Sequence, residues 1–223
     1  MSFADAVLSS YAPDGGLFVP TTLPRFTFDE LSALVGKPFP FIVAEVLFRF
    51  ASDDIDLRTL HRLAESAYGR ANFHADPALP LVDLDGSKLV LETFHGPTAA
   101  FKDIGLQMVG RLLAHFLNER GRTANVLTET SGDTGPAALA ACAGVPGVEI
   151  FCLYPKGRVS RIQELQLTTA ESDAENIHVF QTEGNTDEQA LVLKVCAGSS
   201  DHRDHRTHSL PPSPYHCLPL DKN

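Results

Sequence analysis

The chain has 223 residues, 28 acidic against 18 basic, for a formal net charge of -10, and 43% of it is hydrophobic. That suits one large domain or two small ones with a packed core, and the acidic balance argues against a nucleic-acid partner or a surface for anionic lipid. No apolar run could span a bilayer, MSFADAVLSS lacks the basic-then-apolar order of a secretory signal, and the cysteines at 142, 152, 196 and 217 fit neither a zinc pair nor a CxxC motif, so a cytoplasmic protein with core thiols is expected.

Residues 11–24, YAPDGGLFVPTTLP, are rich in turn formers. Asp14-Gly15-Gly16 can supply positive φ, and Leu17, Phe18 and Val19 are expected to form a short buried strand. Residues 28–70 read as helices. Phe41, Val43, Val46, Leu47 and Phe50 make one apolar stripe, and Leu57, Leu60, Leu63, Ala64 and Ala67 make another. Asp76-Pro77 and Leu79-Pro80 then interrupt the chain.

From about residue 81 the pattern changes. Leu89-Val90-Leu91 is strand-like, and residues 102–119 carry a helical apolar stripe ended by Gly121. A strand around Val126-Leu127 follows, then the turn SGDTG and an Ala-rich helix over 136–143. Strands at 148–153 and 177–180 alternate with helices at 159–169 and 186–196. This alternation predicts an α/β fold with βαβ units and a parallel sheet. The periodicity stops at about Gly198. The expected organisation is a mostly helical region over 1–80, an α/β domain over 81–198, and an unrelated, disordered tail over 199–223. His202, His205 and His208 stand three apart in that tail, but its prolines oppose a helix and no metal site is expected.

Two stretches carry chemistry. In HGPTAAFKDIG, residues 95–105, Lys102 opens a helix behind a Gly-Pro-Thr turn and the small or apolar residues Ala99, Ala100 and Phe101. The positive end of a helix dipole and apolar neighbours both disfavour an ammonium ion, leaving more neutral amine, which attacks carbonyls. The ordinary alternative is a lysine snorkelling from a helix end. In TSGDTGPAALA, residues 130–140, a strand, a glycine-containing loop and a helix N-terminus make an anion cradle. Ser131, Thr134 and the N–H groups of Gly132 and Gly135 could hold a carboxylate or phosphate. The ordinary alternative is a β–α turn with Asp133 or Thr134 as N-cap. Lying on consecutive βα units, the amine and the cradle are expected to face each other at one sheet edge.

The order HGPTAAFKDIG, TSGDTG, LYPKGRVSRIQELQ, preceded by SFADAV and GGLFVPTTLP, resembles the threonine synthase family over nearly all of residues 2–198. The resemblance implies a pyridoxal-phosphate enzyme of the tryptophan-synthase-like fold (fold type II). Such an enzyme converts O-phosphohomoserine and water to L-threonine and phosphate. It implies that Lys102 forms a Schiff base with pyridoxal 5'-phosphate and moves protons. It implies that Ser131, Asp133 and Thr134 lie against the cofactor, and that Ser131, Gly132, Thr134 and Gly135 face the substrate. Lys156 and Arg158 are implied contacts for the substrate phosphate, or else solvated loop charges. The family's second half does not follow Gly198, so a truncated product is expected. Two alternatives stand beside the synthase: a non-catalytic product acting by protein contacts, and a phospho-lyase giving 2-oxobutyrate. The oligomeric state is left open.

Overall fold

The computed structural model describes residues 1–198 except Ser10, Tyr11, Gly15 and Asp173. The tail at 199–223, with its three spaced histidines, lies outside the described residues. Four helices come first: α1 (Phe3–Leu8), α2 (Phe28–Leu34), α3 (Phe39–Ala51) and α4 (Leu57–Tyr68). Each start has a local cause. Ser2 accepts from the Asp5 N–H, Thr27 and Glu30 form a capping box, Pro38 leads into α3, and Asp56 accepts from the Thr59 N–H.

Two short strands follow, β1 (Leu81–Asp83) and β2 (Leu89–Leu91), paired antiparallel in a hairpin. The remainder runs α5 (Asp103–Glu119), β3 (Ala124–Glu129), α6 (Thr134–Cys142), β4 (Val148–Pro155), α7 (Arg161–Ala170), β5 (Ile177–Thr182) and α8 (Thr186–Gly198). Strands β3, β4 and β5 form a parallel sheet in that order. The ladder runs from Ala124 opposite Val148 to Pro155 opposite Thr182. Central β4 buries Val148, Ile150, Cys152 and Tyr154, every second residue, as a half-covered pleat requires.

Two apolar clusters hold the molecule. The first joins Ala44, Leu60, Ala64 and Phe73 to Met108, Leu112 and Phe116 of α5. The second joins Leu117, also from α5, to Leu139, Ile150, Cys152, Leu167 and Ile177. Helix α5 therefore serves both. Burying one such large side chain contributes roughly 1.5–3 kcal/mol. Gly110 lets α5 lie against α6, since a Cβ there would fall 2.3 Å from the Ala141 carbonyl oxygen.

Three sequence expectations are corrected. Leu17, Phe18 and Val19 form no strand, and Leu17 and Val19 are exposed; Pro13, Pro20 and Pro24 around them carry no N–H for a ladder. Leu89–Leu91 is not a strand of the parallel sheet. The Asp83 and Asp85 carboxylates accept N–H groups at Asp85, Gly86 and Ser87, folding β2 back onto β1. The stripe on α3 is centred on Ala44 and Ala51 with Val43, Leu47 and Phe48 beside them, while Phe50 faces out.

Candidate functional site

The lysine turn is built around Asp103, the first residue of α5 and wholly buried. Its carboxylate accepts the Thr98 N–H at 2.9 Å and the Thr98 hydroxyl at 2.8 Å. These bonds fold the turn back on the helix that follows it. Gly96 is needed for the fit, since a Cβ there would lie 2.6 Å from the Asp103 side chain. Ala99 sits at φ 58°, a left-handed conformation costing a non-glycine residue roughly 1 kcal/mol. Gln166 of α7 donates to the Thr98 carbonyl oxygen at 3.1 Å.

Lys102 stands at the N-cap position of α5 without a capping bond and is half-buried. Its Nζ lies 4.5 Å from the centroid of the exposed Phe101 ring, and no carboxylate pairs with it among the described residues. The apolar crowding expected around this amine is therefore partial. Ala100 is buried, but Ala99 and Phe101 face solvent.

The SGDTG loop is organised by a residue that precedes it. Thr130 is buried, and its hydroxyl accepts the N–H groups of Gly132 at 3.0 Å and Gly135 at 2.9 Å. The expectation that these two amides face a ligand is corrected: they point at Thr130. The N–H groups of Ser131, Asp133 and Thr134 have no partner within the described residues. Ser131 and Asp133 are exposed, and Thr134 is half-buried. Asp133 occupies the N-cap position of α6 but makes no capping bond. Instead its Oδ1 accepts from Gln163 Nε2 at 2.6 Å. A Cβ on Gly132 would meet that same Gln163 side chain at 2.6 Å. A Cβ on Gly135 would press on Thr130, Leu167 and the Cys152 sulfur at 2.5–2.9 Å.

Because β3, β4 and β5 are parallel and in register, the loops after them share one edge of the sheet. SGDTG follows β3, and Lys156-Gly157-Arg158 follows β4. Lys156 and Arg158 are both exposed, and Lys156 Nζ lies 3.5 Å from Glu183 of the loop after β5. The lysine turn is tied to this edge through α7, whose Gln166 holds the turn and whose Gln163 holds Asp133. Thr130, Gln163 and Gln166 escaped sequence reasoning. Their partners lie up to 68 residues away, and the only local signal was Gln163 at the third position of a Ser160 capping box. The buried thiols are not nucleophiles. Burial, with the Glu129 charge adding, pushes Cys152 up to about 12, and burial pushes Cys142 up to about 11 although Arg111 opposes it.

Residues 1–68 match a family model described as the threonine synthase N terminus. A threonine synthase of Pseudomonas aeruginosa is 43% identical over 195 residues, 87% of this chain and 41% of that protein. The human threonine synthase-like 2 is 39% identical over 87% of this chain and 40% of its own length. Among solved structures, the pyridoxal-phosphate-bound threonine synthase of Brucella melitensis superimposes with a TM-score of 0.82 at 39% identity, over 91% of this chain and 42% of that one. The yeast threonine synthase gives 0.79 at 34% identity over 89% and 41%. The chain spans about two fifths of the length of the relatives it matches.

Proposed function

We propose that this chain, related in sequence and fold to the N-terminal part of the threonine synthases of fold type II, provides the amine-bearing part of a cytoplasmic enzyme that converts O-phosphohomoserine and water to L-threonine and phosphate with pyridoxal phosphate. The observation that carries this is Lys102, an amine without a carboxylate partner among the described residues, on a turn that α7 ties to the SGDTG loop. The residues fit the cofactor on its amine and ring side. The lone amine suits its aldehyde, and the Ser131 hydroxyl and three unpartnered N–H groups suit its oxygens.

When bound, pyridoxal phosphate supplies an electron sink for carbanions. Lys102 Nζ takes a proton from the substrate and returns it, as general base and then acid. Ser131, Asp133 and Thr134 line the cofactor. The Ser131 hydroxyl faces the cofactor, and the unpartnered N–H groups at the start of α6 are shared between its oxygens and the substrate carboxylate. Gly132 keeps the loop backbone bare for that approach, and Gly135 acts by packing the loop onto Cys152 and Leu167. Lys156 and Arg158 draw in the substrate phosphate, which leaves from Cγ while water adds at Cβ.

Leu89, Leu91, Leu127 and Phe180 are exposed apolar residues of the strands, which suits a chain whose chemistry is completed by further protein. The test joins residues 1–198 to the C-terminal part of a threonine synthase relative and measures products from O-phosphohomoserine. Threonine and phosphate in equal amounts are expected from the fusion, with no turnover from the 223-residue chain alone. Release of 2-oxobutyrate instead would establish the lyase alternative. No product from a folded, cofactor-loaded fusion would favour the non-catalytic one.

A further inference from the structure

A cleft of about 450 Å³ opens between α4, α5 and the two turns that lead into β3 and β4. It lies at the edge where the parallel strands begin, opposite the edge that carries SGDTG and Lys156. Arg62, Arg111, Arg122, His115 and Asn118 line it. The chain carries ten more acids than bases, yet none of these three arginines is in an ion pair among the described residues. Arg111 is half-buried. Its guanidinium is aimed by two uncharged acceptors, the Ser66 hydroxyl at 3.2 Å and the Ala141 carbonyl oxygen at 3.3 Å. Burial penalises its charge, and only the neighbouring Cys142 thiol works the other way, with no carboxylate paired to it among the described residues. His115 Nε2 is buried without a hydrogen bond, and among the described residues the acid paired with it is Glu119, whose Oε1 lies 3.4 Å away. Guanidinium forks and a spare ring nitrogen suit tetrahedral oxyanions, and the volume is that of a small-metabolite site.

We propose that this cleft binds a small phosphorylated metabolite, with Arg111 as the fixed contact and Arg62 and Arg122 closing over the phosphate. The site is separate from the one proposed for catalysis, although both touch α5, which starts just after Lys102 and runs into the cleft at Arg111 and His115.

Inorganic pyrophosphate serves as the probe, titrated calorimetrically into the 223-residue chain with chloride matching the ionic strength. Binding is expected in the wild type. Arg62→Gln with Arg122→Gln, both exposed and free of structural bonds, should weaken it by about tenfold or more per arginine, with the melting temperature in chloride unchanged. Glu119→Gln removes the carboxylate that competes for His115 and should tighten binding a few-fold. Lys156→Gln with Arg158→Gln should leave the affinity as it was. The proposal is overturned if pyrophosphate does not bind at millimolar concentration, if the Arg62/Arg122 variant binds as well as wild type, or if the Lys156/Arg158 variant is the one that loses it.

Discussion

The lysine turn and the SGDTG loop are each closed by one buried polar side chain, but from opposite directions. Asp103 reaches back from the helix that follows the turn, so Lys102 is fixed to α5. Thr130 reaches forward from the strand that precedes the loop, so Ser131 to Gly135 are fixed to the sheet. A carboxylate closes the first and a hydroxyl the second. The described hydrogen bonds join the two only through α7, where Gln166 holds Thr98 and Gln163 holds Asp133 one helical turn away. Alignment of amine and loop is thus a property of a third element, and each part can be loosened separately.

The largest loss is expected at the carboxylate. Asp103→Ala leaves the half-buried Thr98 N–H and hydroxyl without their partner and empties a buried position, and should cost about 3 kcal/mol in urea unfolding, whereas Asp103→Asn, which keeps the shape, should cost about 1 kcal/mol. Equal losses would mean that charge, not geometry, closes the turn. Thr130→Val is nearly isosteric and orphans two amides, for about 2 kcal/mol, while Thr130→Ser should recover much of it. If valine is tolerated, the loop is held by something other than that hydroxyl.

Cys152 reports on the loop from beneath. Its thiol stays protonated when folded, pushed up to about 12 from an ordinary value of 9.0 by burial and then by Glu129. A raised acid pKa stabilises the fold fully below pH 9, and that contribution is lost as pH climbs from 9 towards 12, because only the unfolded thiol ionises. By pH 9.5 the share due to Cys152 should be about 0.8 kcal/mol, beside a similar share from buried Cys142. The total loss should roughly halve in Cys152→Ala, shrink in Thr130→Val and persist in full in Asp103→Ala; the full loss in all three would detach Cys152 from the loop. The smallest effects belong to α7. Gln163→Ala and Gln166→Ala should each cost about 0.5–1 kcal/mol, and a double mutant well beyond the sum would show that the two anchors act as one.

The parts legible in the sequence were those set by neighbours in the chain. Helix α4 follows from Leu57, Leu60, Leu63, Ala64 and Ala67 recurring at helical spacing behind Asp56. The parallel sheet follows from strand–helix alternation, and it alone puts SGDTG and Lys156 at one edge. The hairpin of β1 and β2 was not legible, because a three-residue apolar run says nothing about its partner. Thr130 was hidden for another reason. A threonine ending a strand is commonplace until its hydroxyl is seen under two glycine amides. Gln163 and Gln166 look like solvent-facing helix residues, and their importance comes from contacts 30 and 68 residues away.

The most direct test of the central claim asks which amine takes the cofactor. The fused protein is incubated with pyridoxal phosphate and reduced with borohydride, and its peptides are mapped by mass spectrometry. Of the five lysines this sequence brings to the fusion, at 37, 88, 102, 156 and 194, Lys102 is predicted to carry the pyridoxyl group, with Lys102→Ala losing both the label and threonine formation. Label spread over Lys37, Lys88 and Lys156, with Lys102 untouched and threonine still made, would contradict the assignment of this turn as the amine-bearing part of the site.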